Sequence, residues 1–323
     1  MNLSAMSHKL SLGLGLPLAL LTVFPSSAAA QQAPAAEGVP VRITVTAATR
    51  EKGEEPPPMS KQDFLVYQHH ERRPVLDAIR QTGDKNKLDL YILIDDSISS
   101  DVTLDYPDVK NFVYELPSTA RVGVAYALNG TITVAQDFTD NRDAALKTLR
   151  IPFGRFGAGG GIFLSLADLA KRLPPDPDRR RAILFLSSGI DLFRGYQDSY
   201  AGLNPDLDEA IGRLDRAGIT VYPIYVSPAA HFFRNLFLVS NGQSCLSRLA
   251  DETGGEAYFQ GLITPISMKP FLQELAGHLA NQYVVTFAAK PGKKSGYVSL
   301  HVTTEVSGVD VTGPSRVYVP VAK

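Results

Sequence analysis

The stretch that decides the fold is LDLYILIDDSISS, at residues 88–100. Its first seven residues are mostly apolar, which is typical of a strand buried on both faces. Two carboxylates and three hydroxyls follow at once, and Asp95, Ser97 and Ser99 have a D-x-S-x-S spacing. On a tight turn this spacing can direct one carboxylate and two hydroxyls at a common point. Hard oxygen ligands suit Mg²⁺, Mn²⁺ or Ca²⁺ rather than zinc, so we predict a divalent cation site here.

Around this stretch, residues 86–282 alternate apolar runs with amphipathic segments, which predicts buried strands separated by helices. The expected strands are 88–94, 121–128, 182–186 and 219–226, with a weaker one at 256–259 and an antiparallel return at 131–135. A helix is predicted over 205–217, capped by Asn204 and ended by Gly218. We therefore expect an α/β domain with a Rossmann-like, doubly wound, mostly parallel sheet. Such sheets bind ligands at the carboxyl ends of their strands.

The two flanks of this domain have a different pattern, since short alternating runs there predict antiparallel strands. In the first flank, residues 40–82, strands are expected at 41–49, 63–68 and 74–79, with a polar turn between the last two. In the second, residues 283–323, strands are expected at 283–288, 297–303 and 317–321. We expect the second group to pair with the first in a small antiparallel β unit.

The N-terminus predicts export. Residues 1–30 contain Lys9, an apolar run at 10–24 and the small-residue site Ala28-Ala29-Ala30, which together indicate a signal peptide. A membrane anchor is the alternative, but a spanning helix needs about 20 apolar residues. Cleavage would leave a flexible mature N-terminus at 31–39 and no transmembrane segment. The expected location is secreted, periplasmic or at the cell envelope.

Composition excludes some partners. Lys and Arg number 32 against 33 Asp and Glu, so no charge bias indicates binding to nucleic acid or an anionic membrane. The single cysteine, Cys245, has no partner for an intramolecular disulfide and is expected to pack as a small apolar residue. The oligomeric state is left open by the sequence.

Several further motifs occur in a recognisable order: Ile94-Asp95-Asp96-Ser97-Ile98-Ser99, Gly159-Gly160-Gly161-Ile162-Phe163-Leu164, Ser187-Ser188-Gly189-Ile190-Asp191 and the segment 249–259. With these motifs the chain resembles a von Willebrand factor A-type (VWFA) domain. The flanks at 45–67 and 283–285 resemble the VWFA-related proteins of Acidobacteria. The resemblance implies a Rossmann-like domain outside the cytoplasm that mediates adhesion or protein binding through a divalent metal.

Two positions depart from the pattern that the resemblance implies. Gly161 or Ile162 stands where the second loop of the family supplies a threonine, and Ser188 stands where the third supplies an aspartate. The predicted metal residues are Asp95, Ser97, Ser99, Ser188 and Asp191, with Asp191 or Asp96 able to contribute through water. The expected cofactor is Mg²⁺, or Mn²⁺ or Ca²⁺, and a carboxylate of a protein partner would complete its coordination.

The sequence thus predicts a binding module and not an enzyme, with two alternatives. One is a metal-independent scaffold or assembly component of the bacterial envelope. The other is a serine hydrolase using Ser187 or Ser188, but the first glycine of the G-x-S-x-G elbow is absent. The glycine-rich stretch 154–161 lacks the Lys-Ser/Thr pair of a nucleotide-binding loop.

Aromatic residues beside the expected site form a candidate contact surface. Tyr196, Tyr200 and Arg194 follow Asp191 and are predicted to lie at its rim. The apolar segment 227–240 has two interpretations: an exposed contact for a partner, or a helix or lid buried against the domain.

Overall fold

The computed structural model describes residues 38–51, 54–154, 160–229 and 235–321. The predicted signal peptide, most of the 31–39 segment, and residues 155–159 and 230–234 of the glycine-rich and apolar segments lie outside these residues. The strands are β1 (Val39–Thr49), β2 (Leu65–Gln68), β3 (Glu71–Arg73), β4 (Val75–Arg80), β5 (Leu88–Asp95), β6 (Arg121–Leu128), β7 (Thr131–Thr139), β8 (Arg180–Ser187), β9 (Ile219–Tyr225), β10 (Gln282–Ala289), β11 (Gly296–Thr303), β12 (Val309–Thr312) and β13 (Arg316–Val319). The helices are α1 (Tyr106–Glu115), α2 (Arg142–Leu146), α3 (Ile162–Arg172), α4 (Pro205–Ala217), α5 (Leu236–Thr253) and α6 (Lys269–Ala280).

The central sheet has five strands in the order β7-β6-β5-β8-β9. Strands β6, β5, β8 and β9 run parallel, and β7 pairs antiparallel with β6. Every residue of β5 is buried, as the apolar run at 88–94 predicts. Because β5 lies in the middle of the sheet, its carboxyl end is flanked by the ends of β6 and β8.

Helices cover both faces of this sheet. One face packs against α1, α2 and α6, and the other against α3, α4 and α5, each through a continuous apolar cluster. Helix α4 has the predicted ends: the side-chain oxygen of Asn204 accepts the amides of Asp206 and Leu207, both at 2.9 Å, and Gly218 ends the helix at φ +65°. The predicted doubly wound α/β fold is confirmed.

Ion pairs accompany the charged residue near the start of β5. Asp89 is fully buried at the amino-terminal end of the strand and accepts hydrogen bonds from Arg121 and Arg179 at 2.5–2.8 Å. A buried charge needs such partners to offset its lost hydration. This edge of the sheet is therefore occupied by ion pairs, while the opposite edge carries the loops described below.

The flanks form two four-stranded antiparallel sheets, with strand orders β12-β1-β10-β4 and β13-β11-β2-β3. Each sheet mixes strands from both ends of the chain, and the two share one apolar core. The antiparallel addition to the fold is confirmed, but it consists of two sheets and the polar turn at 69–73 contains a short strand of its own. Strand β2 pairs with the short β3, while β4 pairs with β10 in the other sheet. Alternation within a strand does not specify its partner, because cross-strand contacts are made with distant parts of the chain.

Two further predictions change in detail. The weak strand at 256–259 is a single parallel bridge between Tyr258 and Ile224 of β9. In the apolar segment, residues from Leu236 onward begin α5, capped by the side chain of Asn235. Leu238 there is buried and Phe237 is 51% exposed, so the segment is divided between the two interpretations. None of the described helices has the length and apolarity needed to cross a membrane.

Candidate functional site

The candidate site lies at the carboxyl ends of β5 and β8, where loops from several strands contact one another. The Ser99 amide donates to the carbonyl of Ser227 at 2.8 Å, and the Ala229 amide donates to the carbonyl of Ser97 at 2.9 Å. The loop after β5 is thus held against the loop after β9. These backbone bonds fix the positions from which the side chains of the first loop project.

Asp95 is at the centre of this site. Its Oδ1 accepts hydrogen bonds from the Ser97 amide at 2.8 Å and the Ser97 hydroxyl at 2.5 Å, and its Oδ2 accepts the Ser187 hydroxyl at 2.8 Å. All three residues are buried. One carboxylate and two hydroxyls therefore converge, as the D-x-S-x-S spacing predicts, but the second hydroxyl belongs to Ser187 and not to Ser99.

Burial affects the charge of this group. Desolvation raises the pKa of Asp95, and the hydrogen bonds from Ser97 and Ser187 offset part of that rise. The nearby Asp96 charge raises it further. Burial thus disfavours the charged carboxylate, and a cation placed beside Asp95 would favour it again.

Tyr225 of β9 lies beside the third loop. It pairs with Ser187 in parallel register, so both side chains project from the same face of the sheet. Burial raises the pKa of Tyr225, and an interaction with the Ser227 side chain offsets part of that rise. The loop after β9, which contacts the Asp95 loop, thus also contacts this buried ring.

Asp191 holds the second loop in place. Its carboxylate accepts the amides of Gly161 at 3.0 Å, Phe193 at 2.9 Å and Phe163 at 3.4 Å. Gly161 has φ +74°, and a Cβ there would lie 2.9 Å from the backbone nitrogen of Gly130, so only glycine fits without a shift. Burial raises the pKa of Asp191. The carboxylate thus fixes the start of α3, and its role as a metal ligand stays a prediction.

Ser99 and Ser188 form local hydrogen bonds. The Ser99 hydroxyl accepts the Asp101 amide at 3.2 Å and caps the short 3₁₀ helix at 100–105. The Ser188 hydroxyl accepts the Ile190 amide at 3.4 Å. Both bonds are typical of polar turns after a strand. Metal binding by either hydroxyl also stays a prediction.

Asp96 forms an ion pair. Arg150 donates to both of its carboxylate oxygens, at 2.7 and 2.6 Å, and the guanidinium lies 3.7 Å from the centre of the Tyr126 ring. A bidentate pair of this kind neutralises the carboxylate and fixes its orientation. Asp96 is therefore a weaker candidate than Asp95 for any contribution to a cation through water.

Ser187 is the site residue that sequence reasoning assigned to no metal role. Its hydroxyl donates to Asp95, and no described histidine hydrogen-bonds to it or to Ser188, as a serine nucleophile would require. The contact between Ser187 and Asp95 follows from the register of the sheet, because Ile94 pairs with Leu186 and so places Asp95 beside Ser187. That register is a tertiary property and could not be counted along the chain.

An aromatic cluster, formed by Tyr196, Tyr200 and Phe237, stands partly exposed on the segments that follow the third loop and begin α5. The Tyr196 and Phe237 rings are stacked with centroids 6.3 Å apart, and Tyr200 meets Phe237 edge-on at 5.8 Å. Tyr196 is 48% and Phe237 51% exposed. Arg194, predicted at the rim, pairs with Asp206 at 2.5 Å. The cluster is therefore a partly exposed aromatic surface, and the nearby Arg194 charge is paired.

Comparison with known proteins gives the following. No protein-family model matches the chain, and no curated protein matches it. Among solved structures, BatB from Bacteroides thetaiotaomicron is similar at 12% identity, with 60% of this chain and 97% of that chain covered and a TM-score of 0.43. An aerotolerance-related membrane protein from Bacteroides fragilis is 14% identical, with 59% and 98% covered and a TM-score of 0.42. The SpRpn10 VWA domain is 15% identical, with 58% and 93% covered and a TM-score of 0.34. The fold assignment itself rests on the strand order and helix layers described above.

Proposed function

We propose that this chain is an exported VWFA-type binding module, related to the VWFA-related proteins of Acidobacteria, that binds a protein partner and is not an enzyme. The observation that carries the proposal is the convergence of Asp95, Ser97 and Ser187 at the carboxyl end of the central strand. These are the hard oxygen ligands that Mg²⁺, Mn²⁺ or Ca²⁺ prefers.

In this proposal Asp95 supplies the charge that holds Mg²⁺, and the hydroxyls of Ser97 and Ser187 complete the protein's part of the coordination. Ser99 and Ser188 are further candidates. Because Mg²⁺ retains several waters, a partial set of protein ligands is sufficient for weak binding. A carboxylate of the partner would occupy a remaining position, and the cation would be the shared electrostatic contact.

The aromatic cluster supports a protein as the partner. Tyr196, Tyr200 and Phe237 offer a partly exposed, mutually packed surface that loses little side-chain entropy on binding. Aromatic residues are enriched in the centres of protein interfaces. Export by the N-terminal signal peptide would place this surface in the envelope or outside the cell.

The test is a calorimetric titration of the chain with Mg²⁺, Mn²⁺ and Ca²⁺. With one carboxylate in the site, we expect saturable binding in roughly the 0.1–1 mM range. A unit-charge pair about 4 Å apart is worth about 4 kcal/mol at an effective dielectric near 20, so Asp95→Asn should abolish the signal. Asp101→Asn is the matched control, since Asp101 is an exposed carboxylate in the adjacent turn.

The alternative, a metal-independent scaffold, is favoured by the engagement of Asp191 in three backbone hydrogen bonds and by Ser188 at the family's aspartate position. Only one carboxylate then remains for a cation. If the titration shows no saturable binding up to several millimolar of any of the three cations, the metal-dependent proposal is wrong. The scaffold then becomes the better description.

A further inference from the structure

A second group of side chains that could bind a metal lies beside β9, the edge strand of the central sheet farthest from β7. Glu274 and His278 are four residues apart on α6 and so lie on the same face of that helix. Glu256 approaches from the segment that follows α5. One ligand atom from each residue lies within 4.8 Å of the other two.

The backbone around Glu256 is held on both sides. The Tyr258 amide donates to the carbonyl of Pro223 at 2.8 Å, and the Tyr258 carbonyl accepts the Tyr225 amide at 2.9 Å. Gly255 packs so closely on β9 that a Cβ there would lie 1.9 Å from the carbonyl oxygen of Val221. The position of Glu256 relative to the sheet is thus fixed by its neighbours, as a binding site requires.

His278 is fixed in a similar way. Its Nδ1 lies 3.3 Å from the Tyr258 hydroxyl and 3.5 Å from Oε2 of Glu256, and its side chain is 17% exposed. The Tyr258 ring in turn stacks on Phe271 at 5.5 Å. These contacts hold the imidazole beside the Glu256 carboxylate.

The charges of the cluster are not balanced. Among the described residues, neither Glu256 nor Glu274 forms an ion pair with a lysine or arginine. A divalent cation held between these two carboxylates would compensate their charge.

We propose that Glu256, Glu274 and His278 bind a divalent transition metal of the zinc type. Imidazole and carboxylate together suit Zn²⁺, whereas the all-oxygen site at Asp95 suits Mg²⁺. Tetrahedral coordination at about 2.1 Å places ligand atoms about 3.4 Å apart. Both glutamates are exposed and can close from 4.8 Å by side-chain rotation. Three protein ligands leave a fourth position for water or for a partner's side chain.

This site is distinct from the Asp95 site, because it is built from α6 and the segment beside β9. Its metal would tie the C-terminal half of α6 to the edge of the central sheet, directly before the chain enters β10. Zinc binding should therefore raise the thermal unfolding midpoint of the chain, as any ligand that binds only the folded state does.

Calorimetric titration with ZnCl₂, followed by elemental analysis after dialysis, tests the proposal. We expect about one equivalent of Zn²⁺ bound at micromolar concentrations, weakened at least about tenfold by Glu274→Gln and by His278→Gln. Glu115→Gln, an exposed glutamate on α1, and Asp95→Asn should leave Zn²⁺ binding unchanged. Because Glu274 is exposed, its variant should fold normally, which circular dichroism checks.

Two results would overturn the inference. One is an absence of stoichiometric Zn²⁺ binding by the unsubstituted chain. The other is Zn²⁺ binding that persists with unchanged affinity in Glu274→Gln and His278→Gln, since the ion would then be held elsewhere, for example at the exposed pair His69-His70. Loss of Zn²⁺ binding in Asp95→Asn alone would also contradict it, because the ion would belong to the first site.

Discussion

Replacing Asp191 by alanine and, separately, by asparagine measures how strongly one buried carboxylate holds the second loop. In the native structure this carboxylate accepts two good hydrogen bonds, from Gly161 at 3.0 Å and Phe193 at 2.9 Å, and a longer one from Phe163 at 3.4 Å. Alanine removes all of them. Asparagine retains one side-chain oxygen that can accept the two shorter bonds.

The expected magnitudes follow from these contacts. A hydrogen bond to a charged group contributes about 1.5–3 kcal/mol, so two of them give about 3–6 kcal/mol before the cost of burying the carboxylate is subtracted. Burial raises the pKa of Asp191, which indicates that this cost is present. We therefore expect Asp191→Ala to lower the free energy of unfolding by about 3 kcal/mol and Asp191→Asn by about 1 kcal/mol.

Urea unfolding followed by circular dichroism measures both values, with Asp140→Ala as the control for an exposed aspartate. Hydrogen exchange of the amides at 161–165 should speed up in Asp191→Ala and change little in Asp191→Asn. Equal losses for the two substitutions, or a loss below about 1 kcal/mol for alanine, would refute the argument. The loop would then be held by contacts other than these hydrogen bonds.

Three further outcomes are expected. Burial raises the pKa of Asp215 to about 7 although Arg316 lies 2.9 Å away. Because the pKa in the folded chain exceeds that in the unfolded chain, the free energy of unfolding should fall as pH rises from about 4 to 7. In Asp215→Asn the urea midpoint should depend less on pH across that range. Burial raises the pKa of the Cys245 thiol to about 12, so iodoacetamide should modify this thiol only in the unfolded chain. Mass spectrometry measures the modification. Rapid labelling of the native protein would contradict the buried packing of Cys245. At Gly189, φ is +66° and a Cβ would lie 2.3 Å from the carbonyl oxygen of Gly242. Gly189→Ala should therefore lower the free energy of unfolding by at least about 2 kcal/mol and weaken Mg²⁺ binding. A urea midpoint equal to that of the unsubstituted chain would instead show that α5 can move aside.

Local sequence patterns were sufficient to predict several strands and a helix of the central domain. The apolar run before Asp95, the capped helix at 205–217 and the antiparallel return after β6 each appear in the structure as predicted. These features depend on neighbouring residues, because side-chain periodicity and caps act within one or two turns. Cys245 also packs in the apolar core as expected.

The flanks were predicted less well. Their strands exist, but the partner of β4 is β10, more than 200 residues away in sequence, and not the adjacent β2. Pairing over such a distance depends on which apolar faces meet in the shared core. The pattern of a single strand contains no information about that choice.

The sequence by itself determined the fold class, the position of Asp95 at a strand end and the oxygen chemistry available there. Only the tertiary structure decided which side chains reach that carboxylate: Ser187 does, while Ser99 caps a turn and Asp191 binds backbone amides. It also brought Glu256 to Glu274 and His278. The physical reason is the same in each case. Hydrogen bonds and metal ligation act over a few ångströms between groups that sheet register and helix packing bring together, and these depend on the whole core.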